Sequence, residues 1–172
     1  MHKISYWHKS VIIIALTPDG KILMHKKPSF KTHSADKRAF FGGHVKSGES
    51  YPDAAIRELS EELALPLTSL SLIDLIQIGA EGKFSDKLDY GTRKNYEWST
   101  LYAYFLPPNF NKQQITEQND QGENIPVEVL ELSFEELFHQ YKKNPADFAD
   151  DVKRIFDETE YWVLLILDDR NL

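Results

Sequence analysis

The stretch Gly43 to Leu65, GHVKSGESYPDAAIRELSEELAL, constrains this chain more than any other. A glycine turn leads into an acidic helix. Ser50 is a good N-cap, and Asp53 stands where a capping-box partner belongs. Pro52 falls in the first turn, where its missing N–H costs nothing. Pro52, Ala55, Ile56, Leu59 and Leu63 recur at spacings of three and four, which puts them on one face. Arg57, Glu58, Glu61 and Glu62 lie largely off that stripe. Glu58 precedes Glu61 and Glu62 by three and four residues, so the three carboxylates project side by side and repel one another. A hard divalent cation would convert that repulsion into ligation, because Mg²⁺ prefers carboxylate oxygens and keeps several waters. Taken alone, the same glutamates also fit a solvated acidic helix face.

The spaced identities go further than the helix. Gly43, Glu49, Arg57, Glu58, Leu59, Glu61, Glu62 and Leu65 resemble the Nudix box, G-x5-E-x7-R-E-U-x-E-E-x-G-U, with U a bulky aliphatic residue. One position departs, since Ala64 stands where the family has its second glycine. That glycine ends the helix in a left-handed conformation, and alanine there costs on the order of 1 kcal/mol. Leu65-Pro66 still stops the helix, because the residue before proline disfavours the α region.

Composition narrows the surroundings of the box. At 172 residues the chain fits one domain, 1–172, with a sizeable core. There is no cysteine, which removes disulfides, cysteine–zinc sites and thiol nucleophiles and suits a reducing, cytoplasmic setting. A formal charge of −7 argues against a nucleic-acid polymer as partner, which needs a basic footprint. The apolar runs Val11–Leu16 and Trp162–Leu167 are too short to cross a bilayer, so no membrane association is expected.

Along the chain, residues 10–17 and 21–27 read as two strands of a hairpin around Pro18-Asp19-Gly20. Residues 28–39 form a polar loop with Lys31, Lys37 and Arg38, either solvated or a grip for phosphate together with Lys26 and Lys27. Phe40 and Phe41 make a short strand that delivers Gly42-Gly43. After the box, 70–78 reads as a strand, 80–94 as a long polar loop, 96–106 as an aromatic strand, 109–124 as irregular and 125–132 as a strand. Ser133 and Glu136 cap a helix to about Tyr141. Asn144-Pro145 starts a further helix with Phe148, Val152, Ile155 and Phe156 on its apolar face. Helices therefore occupy the C-terminal part from about 133 onward. The end at Trp162–Leu167 is core or a homodimer contact. The pattern is that of an α/β (α+β) protein with a mixed sheet, and the resemblance sharpens it to the Nudix α/β/α sandwich with the box helix packed on the sheet.

The resemblance implies a chemistry as well. Nudix hydrolases cleave a nucleoside diphosphate linked to another moiety, a small-molecule diphosphate substrate, with Mg²⁺ or Mn²⁺. Water attacks one phosphorus and the bridging bond breaks. Carried onto this sequence, Glu58, Glu61 and Glu62 are the metal ligands, joined by the carbonyl of Gly42. Arg57 orients a glutamate such as Glu49, and Glu49 assists the metal shell or the helix start. A further acid outside the box supplies the base, with Glu97, Glu123 and Glu128 as candidates. Lys27, Arg38, His44 and Glu97 are candidate substrate contacts, and Tyr90, Tyr96 and Trp98 could stack on a base.

Two rival functions stay open. His8, the Gly42-Gly43-His44 segment and Glu97 resemble elements of the isopentenyl-diphosphate isomerases, whose catalytic cysteine would fall at Gly42. With no thiol in the chain that isomerisation is disfavoured, while His8, His44 and Glu97 could form a second metal site. The other rival is a non-catalytic Nudix module that binds a nucleotide and regulates.

Overall fold

The computed structural model describes residues 7–31, 33–89 and 94–159. Its centre is strand β1 (Trp7–Leu16), whose residues from Ser10 onward are all buried. Val11, Ile13 and Ala15 point into one apolar cluster, and Ile12, Ile14 and Leu16 into another. A strand covered on both faces reads as an unbroken apolar run, because alternate side chains enter different cores.

A turn at residues 17–20 returns the chain into β2 (Ile22–Lys26), which pairs antiparallel with the end of β1. The short β3 (Arg38–Ala39) pairs with β2, and β4 (Phe41–His44) pairs antiparallel with the first half of β1. Helix α1 (Tyr51–Leu63) follows. Two single 3-10 turns lead to β5 (Leu75–Ile78), shorter than the strand expected over 70–78. Strand β7 (Lys94–Phe105) lies parallel to β1 over the whole of that strand.

Four further sequence expectations need correction. The loop expected over 80–94 contains β6 (Phe84–Asp89), paired antiparallel with β7. Buried Phe84 supplies its anchor, and polar neighbours mask that signal in the sequence. The segment expected to be irregular holds β8 (Thr116–Gln118), and the strand expected over 125–132 is split into β9 (Asn124–Pro126) and β10 (Val129–Leu132). β8 and β9 form their own hairpin, whereas β10 joins the main sheet beside β2. Asn144-Pro145 opens a single 3-10 turn only, with no side-chain cap.

Helix α2 (Phe134–Lys143) carries the expected capping box of Ser133 and Glu136, and α3 (Asp150–Thr159) begins at Asp150. The run Trp162–Leu167 lies outside the described residues.

The main sheet has the order β10-β2-β1-β7-β5, with β3 beside β2, β4 beside β1 and β6 beside β7. α1 covers one face through Tyr51, Ala54, Ala55, Leu59 and Leu63. α2 and α3 cover the other through Leu137, Tyr141, Val152, Ile155 and Phe156. The result is a mixed sheet between helices, the α/β/α arrangement expected. Among the described residues, no helix is long and apolar enough to cross a membrane.

Candidate active site

The box helix starts at its Ser50 cap, but Asp53 does not complete the expected capping box, because its carboxylate takes the Ser50 hydroxyl instead of the Ser50 backbone N–H. The Ser50 hydroxyl accepts from the Asp53 N–H at 3.2 Å and donates to the Asp53 carboxylate at 2.5 Å. It ends at Ala64 in the left-handed region, φ 50° and ψ 37°. Its buried face differs from the expected stripe in one respect that bears on chemistry. Glu58 is only 8% exposed and belongs to the buried side with Ala54, Ala55 and Leu59, while Pro52 and Ile56 are half-buried.

Arg57 ties the acidic residues together. Its Nε and one terminal nitrogen donate to the two oxygens of Glu49 at 2.8 and 3.0 Å. The other terminal nitrogen reaches Glu58 at 2.6 Å and Glu61 at 3.1 Å, and the guanidinium also donates to the His44 carbonyl at 2.9 Å. A planar five-donor group suits such a task, since it can serve several carboxylates in one plane. The Arg57 hydrogen bonds hold the Glu49 carboxyl down at about 2 against its small desolvation.

Gly42 and Gly43 bring the sheet against these carboxylates. The Gly42 N–H donates to Glu62 Oε2 at 2.8 Å. A Cβ on Gly43 would stand 2.5 Å from Glu58 Oε1, so only glycine lets that carboxylate lie on the strand. Gly42 has φ +130°, and a Cβ there would meet the Val11 carbonyl oxygen at 2.1 Å. No cysteine can occupy this backbone, which removes the geometric basis of the isomerase-like reading as well as its thiol.

Burial raises the pKa of Glu58, with Arg57 opposing. Burial, followed by the charge of Glu117, pushes Glu62 well above the usual carboxylate range, with the Gly42 N–H opposing. Desolvated carboxylates that repel one another favour protons or cations. The donor set therefore fits a hard divalent cation, and Glu58 and Glu62 are the residues on which the fit rests. Glu61 is about half exposed and engaged with Arg57 and Lys46. Among the described residues, no group of three acidic or histidine side chains is already gathered into a metal cage.

Sequence reasoning missed Glu117. It sits on β8, 8% exposed, with Oε1 3.1 Å from His25 Nε2 and Oε2 2.5 Å from Lys31 Nζ. Burial raises its pKa, but His25 and Lys31 outweigh that and keep the carboxyl ionised. The signal available was the turn Asn119-Asp120-Gln121-Gly122, which closes the β8–β9 hairpin through Gly122 N–H to Asn119 carbonyl at 3.0 Å. Of the acids proposed from sequence as a base, Glu123 is exposed and bonded to Asn119, and Glu128 is exposed.

Glu97 lies instead in a cleft of about 220 Å³ on the α3 side of the sheet, together with Lys27, His44, Asp151 and Arg154. Its carboxylate contacts His44 Nε2 at 3.3 Å and the Ser10 hydroxyl at 3.4 Å. The hydrogen bond to Glu97 raises the His44 pKa against desolvation. Asp151 accepts from the Phe40 N–H at 3.1 Å, and burial raises its pKa. His8 meets His44 edge-on at 5.5 Å, but these two histidines and Glu97 form no metal-holding group. Arg38 is directed elsewhere: it donates to Gln140 and lies over the Phe148 ring. Tyr96 and Trp98 flank or stack on Trp7, and Tyr90 lies outside the described residues.

Comparison with known proteins gives a consistent picture. A family model described as NUDIX domain matches residues 6–154. An uncharacterised Nudix hydrolase of Streptomyces coelicolor is 42% identical over 57 residues, covering 33% of this chain and 32% of that protein. An uncharacterised Nudix hydrolase of Nostoc is 32% identical over 114 residues, covering 58% of this chain and 64% of that one. The chain thus aligns to a third and to just under two thirds of these relatives' lengths. The crystal structure of a MutT protein from Methanosarcina mazei is similar in fold, with TM-score 0.59 and 17% identity over 93% of this chain and 99% of that one.

Proposed function

The chain belongs to the Nudix family, and on that premise we propose that it is a hydrolase cleaving the diphosphate linkage of a nucleoside diphosphate derivative or related small metabolite. The observation that supports this most is the pair of desolvated carboxylates, buried Glu58 and half-buried Glu62, set against Gly42-Gly43 with raised pKa values. Glu58, Glu61, Glu62 and the Gly42 carbonyl would hold Mg²⁺ or Mn²⁺. When bound, such a cation neutralises phosphate oxygens and lowers the pKa of water.

The remaining roles fall to the chain's own groups. Arg57 and Glu49 keep the glutamates oriented through the bidentate contact. Glu117 accepts the proton of the attacking water, because it is the ionised carboxylate whose charge acts on Glu62. A carboxylate held by a lysine ammonium and a histidine ring is a weak base. An incoming diphosphate competes for Lys31, and with Lys31 drawn away Glu117 keeps only His25 and gains basicity. Lys27, His44 and Glu97 contact the substrate from the cleft. The same reading takes residues 1–172 as one domain working in the cytoplasm.

The test is a hydrolysis screen with Mg²⁺ over nucleoside-diphosphate compounds, run beside Glu62→Gln and Glu61→Gln. Turnover of one compound class that drops at least about a hundredfold in the variants is the expected result. Near wild-type turnover in both variants would refute the ligand set, and binding without turnover by the wild type would refute the hydrolase.

A further inference from the structure

His25 is a buried polar side chain outside the box that bonds to Glu117 and to no other described residue. We infer that it is a positioning residue: its Nε2–H holds Oε1 of Glu117, so that Oε2, the oxygen engaged by Lys31, is the one that takes the proton of the attacking water. The role rests on the reading of Glu117 as the base of a hydrolase.

The ring has little freedom to move. His25 lies on β2 and pairs with Ala39 on β3 and Val129 on β10, so its backbone is held at both edges. Its side chain shares the α1 side of the sheet with Leu23, two residues before it. It is 2% exposed and stacks on Phe41, with centroids 4.9 Å apart and planes at 28°. Phe41 directly precedes Gly42, whose N–H donates to Glu62. The short strand β4 therefore sets both the ring that holds Glu117 and the backbone that holds Glu62.

The surroundings of the ring also fix where its proton sits. Nε2 stands 3.1 Å from Glu117 Oε1, whereas Nδ1 is buried with no hydrogen-bond partner among the described residues. A proton on Nδ1 would be a buried donor with nothing to receive it, and a bare Nε2 would turn its lone pair on a carboxylate oxygen. With the proton on Nε2 the bond to Glu117 forms and Nδ1 is left as an acceptor only.

The two oxygens of Glu117 thus have different fates. Oε1 meets a fixed ring, while Oε2 meets the long side chain of Lys31, which is 31% exposed. A diphosphate that draws Lys31 away uncovers Oε2 and leaves Oε1 where it was. The proton of the attacking water then passes to Oε2, the water oxygen bonds to phosphorus, and the bridging oxygen leaves with the bonding pair. His25 keeps its Nε2 proton throughout. Misplacing a reacting group by about 1 Å can cost about a hundredfold in rate, which is the loss that a carboxylate anchored at one oxygen avoids.

The experiment measures kcat and KM of the full chain with Mg²⁺ on the fastest compound of the nucleoside-diphosphate screen. His25→Phe keeps a stacked ring without a donor and should lower kcat by at least about tenfold with KM little changed. His25→Gln, whose amide N–H reaches the place of Nε2, should restore most of that loss. In a Glu117→Gln background His25→Phe should add no further loss, because it acts through Glu117. Nitrogen-15 NMR of the wild-type ring should show the proton on Nε2 and none on Nδ1. Circular dichroism reports folding, and His25→Asn, whose amide stops short of Glu117, replaces His25→Phe if that variant does not fold. If neither folds, the ring spectrum decides. Unchanged kcat in the folded donor-less variant, an equal loss in His25→Gln, a further loss in the Glu117→Gln background, or a proton on Nδ1 overturns the inference alone. Wild-type turnover in Glu117→Gln refutes the base reading instead, no turnover by the wild type refutes the hydrolase, and in either case the role of His25 falls with it.

Discussion

Replacing Ala64 by glycine should stabilise the protein. Ala64 ends α1 at φ 50°, where an L side chain crowds the following carbonyl and glycine does not. The strain is about 1 kcal/mol. Nothing opposes its release, because Ala64 is exposed and its methyl group packs into neither core. The helix end stays satisfied in the variant, since Gln114 donates its side-chain N–H to the Leu63 carbonyl at 2.8 Å, a contact with backbone alone. Glycine adds freedom to the unfolded chain, but at a positive φ that effect is the smaller one. With roughly 0.4 kcal/mol or more of unfolded-chain freedom set against that strain, the net gain is at most about 0.5 kcal/mol, a rise in Tm of roughly 1–2 °C for a chain of this size. Urea unfolding should show a higher midpoint at unchanged slope, and calorimetry the matching Tm. An unchanged or lowered midpoint would refute the argument, and so would a changed slope, which would locate the effect in the unfolded state.

Other perturbations test the site and the core. Arg57→Met should flatten the acid limb of stability: Glu49, held at about 2 against an ordinary 4.5, contributes stability above pH 4.5 that is lost as pH falls toward 2. Urea midpoints at pH 7, 4 and 3 should converge between wild type and variant as pH falls, and a constant gap would show that Glu49 is not held by Arg57. Glu117→Gln should lower kcat by about 10²–10⁴-fold with the fold retained, and wild-type turnover would remove Glu117 from the chemistry. Leu59→Ala, at a fully buried position between α1 and the sheet, should cost about 2–5 kcal/mol by urea unfolding. A loss below 1 kcal/mol would mean that the α1 interface repacks.

Local sequence determined the elements whose signals sit within a few residues. The Ser50 and Ser133 caps and the β1–β2 hairpin each depend on contacts inside one turn of chain. The Glu58, Glu61 and Glu62 spacing was readable for the same reason, since helical periodicity places residues three and four apart together. The tertiary structure alone decided what these groups face. Glu58 became buried because Gly43 of a neighbouring strand has no side chain to hold it off. Glu117 on β8 met His25 across 92 positions of sequence. Asp151 reaches the Phe40 backbone across 111 positions, and Arg154 reaches Ser99 across 55. Arg38 left the expected phosphate grip when packing set it over Phe148. Periodicity and capping act along the chain, whereas the environment of a charge depends on which distant segments desolvate it, and only the packed sheet and helices bring those segments together.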